Sequence, residues 1–131
     1  MNILFFGDIV GHIGIEALGN VILKLRKEFN ADFIIANGEN ASRGKGLTER
    51  DCFEILNLGV DVITLGNHYF SKDQIADYIN DYDCLIRPAN VINFSAGRGS
   101  EVFSVNGVDI RVTNLLCQGL MKETINSPFE C

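Results

Sequence analysis

Three short apolar runs, Ile3–Phe6, Phe33–Ala36 and Val60–Leu65, each give way to glycine and polar residues: Gly7-Asp8, Asn37-Gly38-Glu39-Asn40 and Gly66-Asn67-His68. Runs of this length read as strands buried on both faces. Between the first two, Leu18, Ile22, Leu25 and Phe29 recur at helical spacing, with Lys24, Arg26, Lys27 and Glu28 among the polar positions, so a strand leads into an amphipathic helix. Thr48-x-x-Asp51 resembles a capping box and opens a second helix that ends near Gly59. Ser71-x-x-Gln74 predicts the cap of a third helix, with Ile75, Tyr78, Ile79 and Tyr82 on one face.

Three repeated strand–helix units imply parallel strands joined by right-handed crossovers, hence the α/β class. The pattern then changes. Cys84-Leu85-Ile86 is a short strand, Arg87-Pro88-Ala89-Asn90 is irregular, and Val102–Val105 and Val108–Thr113 flank Asn106-Gly107, a strong signal for an antiparallel hairpin. No solenoid repeat or interdomain linker interrupts the chain, and Gly119 to Cys131 shows no strong periodicity. Residues 1–131 are therefore expected to form one domain.

If the three runs are neighbouring parallel strands, Asp8, Glu39, Asn40, Asn67 and His68 share the edge where open α/β sheets bind ligands. These residues offer oxygen and imidazole donors suited to a divalent metal. Asp8 and Glu39 could hold two cations ~3.5–4 Å apart, a common device in phosphoester hydrolysis, with Asn67 adding a neutral oxygen. Taken singly, Asp8 and Asn40 read equally as caps and Glu39 as a solvated loop charge. Agreement at three strand ends favours the common site. His68 could protonate a departing alkoxide, since imidazole titrates near neutral pH. His12 lies in the turn Gly11-His12-Ile13-Gly14 and reads as a surface residue.

The stretch Gly38 to Gly46 is not a triphosphate-binding loop, because five residues separate Gly38 from Gly44 and Gly46 replaces the magnesium-binding Ser or Thr. Arg43 and Lys45 could draw a substrate phosphate from this loop, or be ordinary solvated charges.

Composition narrows the partners. Of 131 residues, 47% are hydrophobic and 21% charged, which suits a globular core. A net charge of −6 argues against duplex DNA, whose sequence-independent affinity comes from Lys and Arg, but leaves a small nucleotide or a short RNA end open. No basic leader or membrane-length apolar run is present, so a cytoplasmic protein without a membrane partner is expected. Cys52, Cys84, Cys117 and Cys131 lack Cys-x-x-Cys spacing and are expected as free thiols.

The segments Gly7-Asp8-Ile9-Val10-Gly11, Ala36-Asn37-Gly38-Glu39-Asn40-Ala41, Gly66-Asn67-His68 and Arg87-Pro88-Ala89-Asn90, in this order, resemble the YmdB-like branch of the calcineurin-like metallophosphoesterases. Asn126-Ser127-Pro128-Phe129 resembles a segment near the middle of such proteins. The resemblance implies a four-layer α/β sandwich, here only its N-terminal βαβαβα part plus an antiparallel hairpin. It also implies two divalent transition-metal ions, iron, manganese or similar, and hydrolysis of phosphodiesters such as 2',3'-cyclic nucleotides by a metal-activated hydroxide. By motif matching, Asp8, Glu39, Asn40 and Asn67 take the metal positions, with Glu39 as the bridge, and His68 takes the catalytic one. Val10 stands where the wider superfamily has a His, as in the YmdB-like branch.

Tyr69-Phe70-Ser71 departs from the Trp and Asp usual in the family, with Ser71 still able to cap the third helix. The chain stops before the segments that supply three further His ligands, and is expected to be the truncated N-terminal part of an enzyme, inactive by itself. A homo-oligomer or a complementing C-terminal half would then complete it. The alternative is a non-catalytic binding or regulatory half-domain that pairs with another subunit through an exposed apolar sheet face.

Overall fold

A computed structural model describes residues 1–92, 95–119 and 125–131. β1 (Ile3–Phe6), α1 (Gly11–Glu28), β2 (Phe33–Asn37), α2 (Glu49–Asn57), β3 (Val62–Thr64), α3 (Ile75–Tyr78) and β4 (Leu85–Ile86) precede a hairpin of β5 (Ser100–Val105) and β6 (Val108–Thr113). The first four strands form a parallel sheet in the order β1-β2-β3-β4. Because this order never reverses, right-handed crossovers place every helix on the same face. Ile15, Leu18 and Ile22 of α1, Cys52 and Ile55 of α2 and Ile75 of α3 accordingly share one core with Ile34, Ala36, Ile63 and Leu85 of the sheet.

The other face carries Phe33, Ile35, Val62 and Ile86, which pack against Phe103, Val105, Ile110 and Val112 of the hairpin. Phe33 and Phe103 meet with ring centroids 5.6 Å apart. Pairing of Ile3 with Phe33 and of Phe5 with Ile35 puts both β1 side chains on this second face. The hairpin does not reach across them: Ile3 and Phe5 remain 47% and 62% exposed. Of the expected sandwich, the described residues thus build a helical layer, one parallel sheet and one antiparallel hairpin.

Local signals explain most boundaries. Thr48 is the N-cap of α2, its hydroxyl accepting from Asp51 N at 3.3 Å. Asn106 and Gly107 have φ of 52° and 80°, the left-handed pair that a tight primed turn requires. Two expectations are corrected. Phe29 does not join the buried face of α1, because the helix ends at Glu28 and the chain turns through Asn30 at φ 46°, leaving Phe29 51% exposed. The third helix is a single turn followed by a 3-10 turn at Ile79–Asp81, and Ser71 does not cap it. Its N-cap is Gln74, without a side-chain cap bond, while Ser71 N is occupied in a turn to His68 O at 3.0 Å. The predicted apolar face survives, with Ile75, Tyr78 and Ile79 buried.

All four cysteines are free thiols, with Cys52 buried and Cys117 and Cys131 exposed. Among the described residues no helix is long and apolar enough to cross a membrane. Part of the final segment, Leu120 to Thr124, lies outside the described residues.

Candidate metal centre

Parallel pairing places the ends of β1, β2 and β3 side by side, and the loops leaving them are stitched by backbone bonds. Ile9 N donates to Asn37 O at 3.0 Å, Gly11 N to Asn40 O at 2.9 Å and Gly38 N to Thr64 O at 3.0 Å. This ladder brings the polar residues of three distant segments together. Asn40 Nδ2 donates to Asp8 Oδ2 at 2.6 Å, and Asn40 Oδ1 lies 2.5 Å from His68 Nδ1. One amide therefore links Asp8 to His68.

The direction of these bonds fixes the histidine's tautomer. An ionised carboxylate only accepts, so Asn40 turns its NH2 to Asp8 and its oxygen to His68, which makes Nδ1 the donor. His68 Nε2 is then the ring nitrogen left for a substrate or a cation.

Glu39 enters from the other side, its Oε2 accepting from His68 N at 3.0 Å. Its carboxylate lies directly against Gly66, where an added Cβ would collide with both oxygens. Glycine just after β3 thus leaves the space in which the Glu39 carboxylate sits, and a side chain there would push that carboxylate aside. Asn67 is half-buried beside it, with no side-chain hydrogen bond among the described residues. Asp8 is exposed, and Glu39, Asn40 and His68 are half-buried.

The structure so brings Asp8, Glu39, Asn40 and His68 into one hydrogen-bonded group, with Asn67 adjoining it. His12 does not join; it lines a hollow beside Arg43 and Arg50. A larger hollow, about 680 Å³, sits at the amino ends of the strands among Asp32, Asp61, Asp83 and Glu101, opposite the edge where α/β sheets place ligands.

Two carboxylates, two amides and one imidazole make a donor set of the kind that divalent transition metals accept. Among the described residues, no three His, Cys, Asp or Glu side chains gather into a metal-holding group. The set therefore fits one wall of a centre whose shell needs further donors. The linking amide of Asn40 and the space that Gly66 leaves for Glu39 were not anticipated from sequence, because both depend on contacts between segments about 30 residues apart.

Arg87-Pro88-Ala89-Asn90 proves to be a structural element. Asn90 is fully buried; its Nδ2 donates to Leu116 O at 2.8 Å and Asn126 O at 3.0 Å, and its Oδ1 accepts from Leu116 N at 2.9 Å. Burial holds the Arg87 guanidinium below its ordinary pKa, and its Nε and Nη1 donate to the carbonyls of Ala96 and Pro88.

Comparison with known proteins identifies the family and the fold. The chain is 42% identical over 115 residues to a Bacillus subtilis (strain 168) protein named 2',3'-cyclic-nucleotide 2'-phosphodiesterase, a match covering 88% of this chain and 44% of that one. A Thermus thermophilus crystal structure, described as a hypothetical protein, superposes with a TM-score of 0.89 at 31% identity, covering 99% of this chain and 50% of the other. A Mycoplasma pneumoniae structure described as a novel phosphatase gives a TM-score of 0.89 at 36% identity over 98% of this chain and 47% of that one. The chain spans about half the length of these relatives. Residues 4–131 match the family described as YmdB-like protein, and the chain belongs to that family.

Proposed function

We propose that the full-length protein is a metal-dependent phosphodiesterase of the cytoplasm, acting on small phosphodiesters such as 2',3'-cyclic nucleotides or short RNA ends. The observation that carries this reading is the line Asp8–Asn40–His68, which holds a carboxylate and an imidazole in fixed relation at the carboxyl edge of the sheet. The name of the Bacillus subtilis relative supports the substrate class.

Asp8, Glu39 and Asn67 would hold two divalent cations, iron, manganese or similar, with Asn40 at their margin. When bound, such cations neutralise phosphoryl oxygens and lower the pKa of water. The chain's own groups do the rest. Asn40 fixes the ring of His68 by occupying Nδ1, which leaves Nε2, when protonated, to give its proton to the leaving oxygen. Glu39 anchors the backbone at His68 through its bond to the amide, which ties the acid to the metal-holding loop.

A second reading, a half-domain that binds a partner without catalysis, draws on Ile3 and Phe5, the exposed apolar residues of the second sheet face. In the first reading a complementing C-terminal half, or a second copy, covers the same residues. Assay of the full-length protein on 2',3'-cyclic AMP and bis-p-nitrophenyl phosphate, with and without Mn²⁺, separates the two. Metal-dependent turnover that Asp8→Ala abolishes is expected; absence of turnover overturns the enzymatic reading, and turnover unaffected by metal or by that substitution overturns the metal site.

A further inference from the structure

Eleven Lys and Arg face seventeen Asp and Glu in this chain, and most arginines are already engaged. Arg26 pairs with Asp61, Arg98 with Asp83 and Glu101, Arg111 donates to Ser100, and Arg87 donates to two backbone carbonyls. Arg43, Arg50 and Lys72 have no ion pair or hydrogen bond among the described residues, yet all three line one hollow of about 390 Å³. Ser42, Thr48 and Asp51 complete its wall, and the one carboxylate there is occupied by the Ser42 hydroxyl. The hydroxyl leaves the charge of Asp51 in place, so three cations face one carboxylate and the hollow keeps an excess of positive charge, a local positive site in an acidic protein.

The hollow belongs to the same two loops as the candidate metal centre. Glu39, Asn40 and Arg43 share a loop closed by Gly46 N donating to Glu39 O at 2.6 Å and Ser42 N to Gly46 O at 2.9 Å. His68 and Lys72 share the other, where Ser71 N donates to His68 O at 3.0 Å. The loops touch: a Cβ at Gly46 would come within 2.8 Å of Lys72 Cγ. Arg50, in the first turn of α2, closes the hollow from a third element.

We infer that Arg43, Arg50 and Lys72 form a subsite for a second phosphate of the substrate, so that the protein favours a phosphate-bearing oligonucleotide over a mononucleotide. This rests on the phosphodiesterase reading. Guanidinium groups meet phosphate oxygens with paired N–H bonds and Lys adds a point charge, an arrangement suited to a backbone phosphate. A mononucleotide has a single phosphate, which the reaction site takes, and leaves this hollow unfilled.

Two measurements on the full-length protein test the inference separately from the chemistry. The first is binding of a 5'-phosphorylated RNA dinucleotide to metal-free protein, by fluorescence anisotropy, for the native chain, Arg50→Ala/Lys72→Ala and Lys24→Ala/Lys27→Ala. The hollow's variant should bind about tenfold more weakly or worse, while the α1 variant, which removes the same charge elsewhere, should bind as the native chain does. Equal losses in both variants, or none in either, overturn the subsite. Inorganic phosphate that competes as tightly as the dinucleotide also overturns it, because the hollow then holds free phosphate and not a strand.

The second measurement is turnover. Arg50→Ala/Lys72→Ala should raise KM for a 5'-phosphorylated dinucleotide ending in a 2',3'-cyclic phosphate about tenfold, with kcat unchanged and 2',3'-cyclic AMP hydrolysed as before. Absence of turnover on both substrates counts against the phosphodiesterase reading, while the binding comparison still decides the subsite.

Discussion

The two faces of the parallel sheet are built in different ways. The helix-covered face is closed by three elements that each follow their own strand, and Ile34, Ala36, Ile63 and Leu85 are all at or near zero exposure there. The opposite face is covered by one hairpin from late in the chain, which reaches Phe33, Ile35, Val62 and Ile86 but stops short of Ile3 and Phe5. Local strand–helix units can finish one face by themselves. The second face depends on segments brought from elsewhere, and half of what the relatives possess lies beyond this chain's match.

The contrast should appear most strongly in thiol chemistry. Burial, reinforced by the negative charge that Cys84 and Glu49 carry when ionised, pushes the Cys52 thiol from 9.0 up to about 12, whereas Cys117 is exposed. Three units mean ~1000-fold less thiolate at a given pH, before steric protection is counted. Maleimide labelling at pH 8 should therefore modify Cys117 rapidly and Cys52 only on unfolding. Labelling of Cys52 at a comparable rate in the folded protein would refute a closed helix face. The raised pKa also has a sign for stability. Folding disfavours the thiolate, so the contribution of Cys52 is whole below pH 9 and declines as pH rises towards 12, measurable as a falling Tm at alkaline pH.

Truncation experiments sharpen the comparison further. Ile63→Ala, at a site with zero exposure between β2 and β4, should cost ~2–5 kcal/mol in urea unfolding. Asn90→Leu removes three bonds that tie the Arg87–Asn90 turn to Leu116 and Asn126, and should cost ~2–4 kcal/mol by stranding buried backbone groups. Phe5→Ser on the open face should change stability of this chain by less than ~0.5 kcal/mol, since the ring is already largely in water. A loss comparable to Ile63→Ala would mean that the open face is covered.

Much of the helical side was legible in the chain. Strand runs, the Thr48 cap and the Asn106-Gly107 turn carry their information within a few residues, and the structure places them where that information points. The failures were also local in origin. Ser71 offered a cap, but the helix begins only at Ile75, three residues beyond the position that Ser71 could cap, and Phe29 continued a helical stripe that the turn at Asn30 had already ended. The site was legible in part, because Asp8, Glu39, Asn40, Asn67 and His68 all follow strand ends. The amide of Asn40 that joins residues 8 and 68, and the space at Gly66 that admits Glu39, exist only once three strands lie in register. No single-segment pattern encodes either.

The proposed function requires that Asp8, Glu39 and Asn67 hold cations at this edge. Elemental analysis of the full-length protein after equilibration with Mn²⁺ and removal of free metal, set beside Glu39→Ala, tests it most directly. Close to two bound ions per native chain, and loss of at least one in Glu39→Ala with the fold retained, are expected; undiminished metal in that variant would refute the proposed centre.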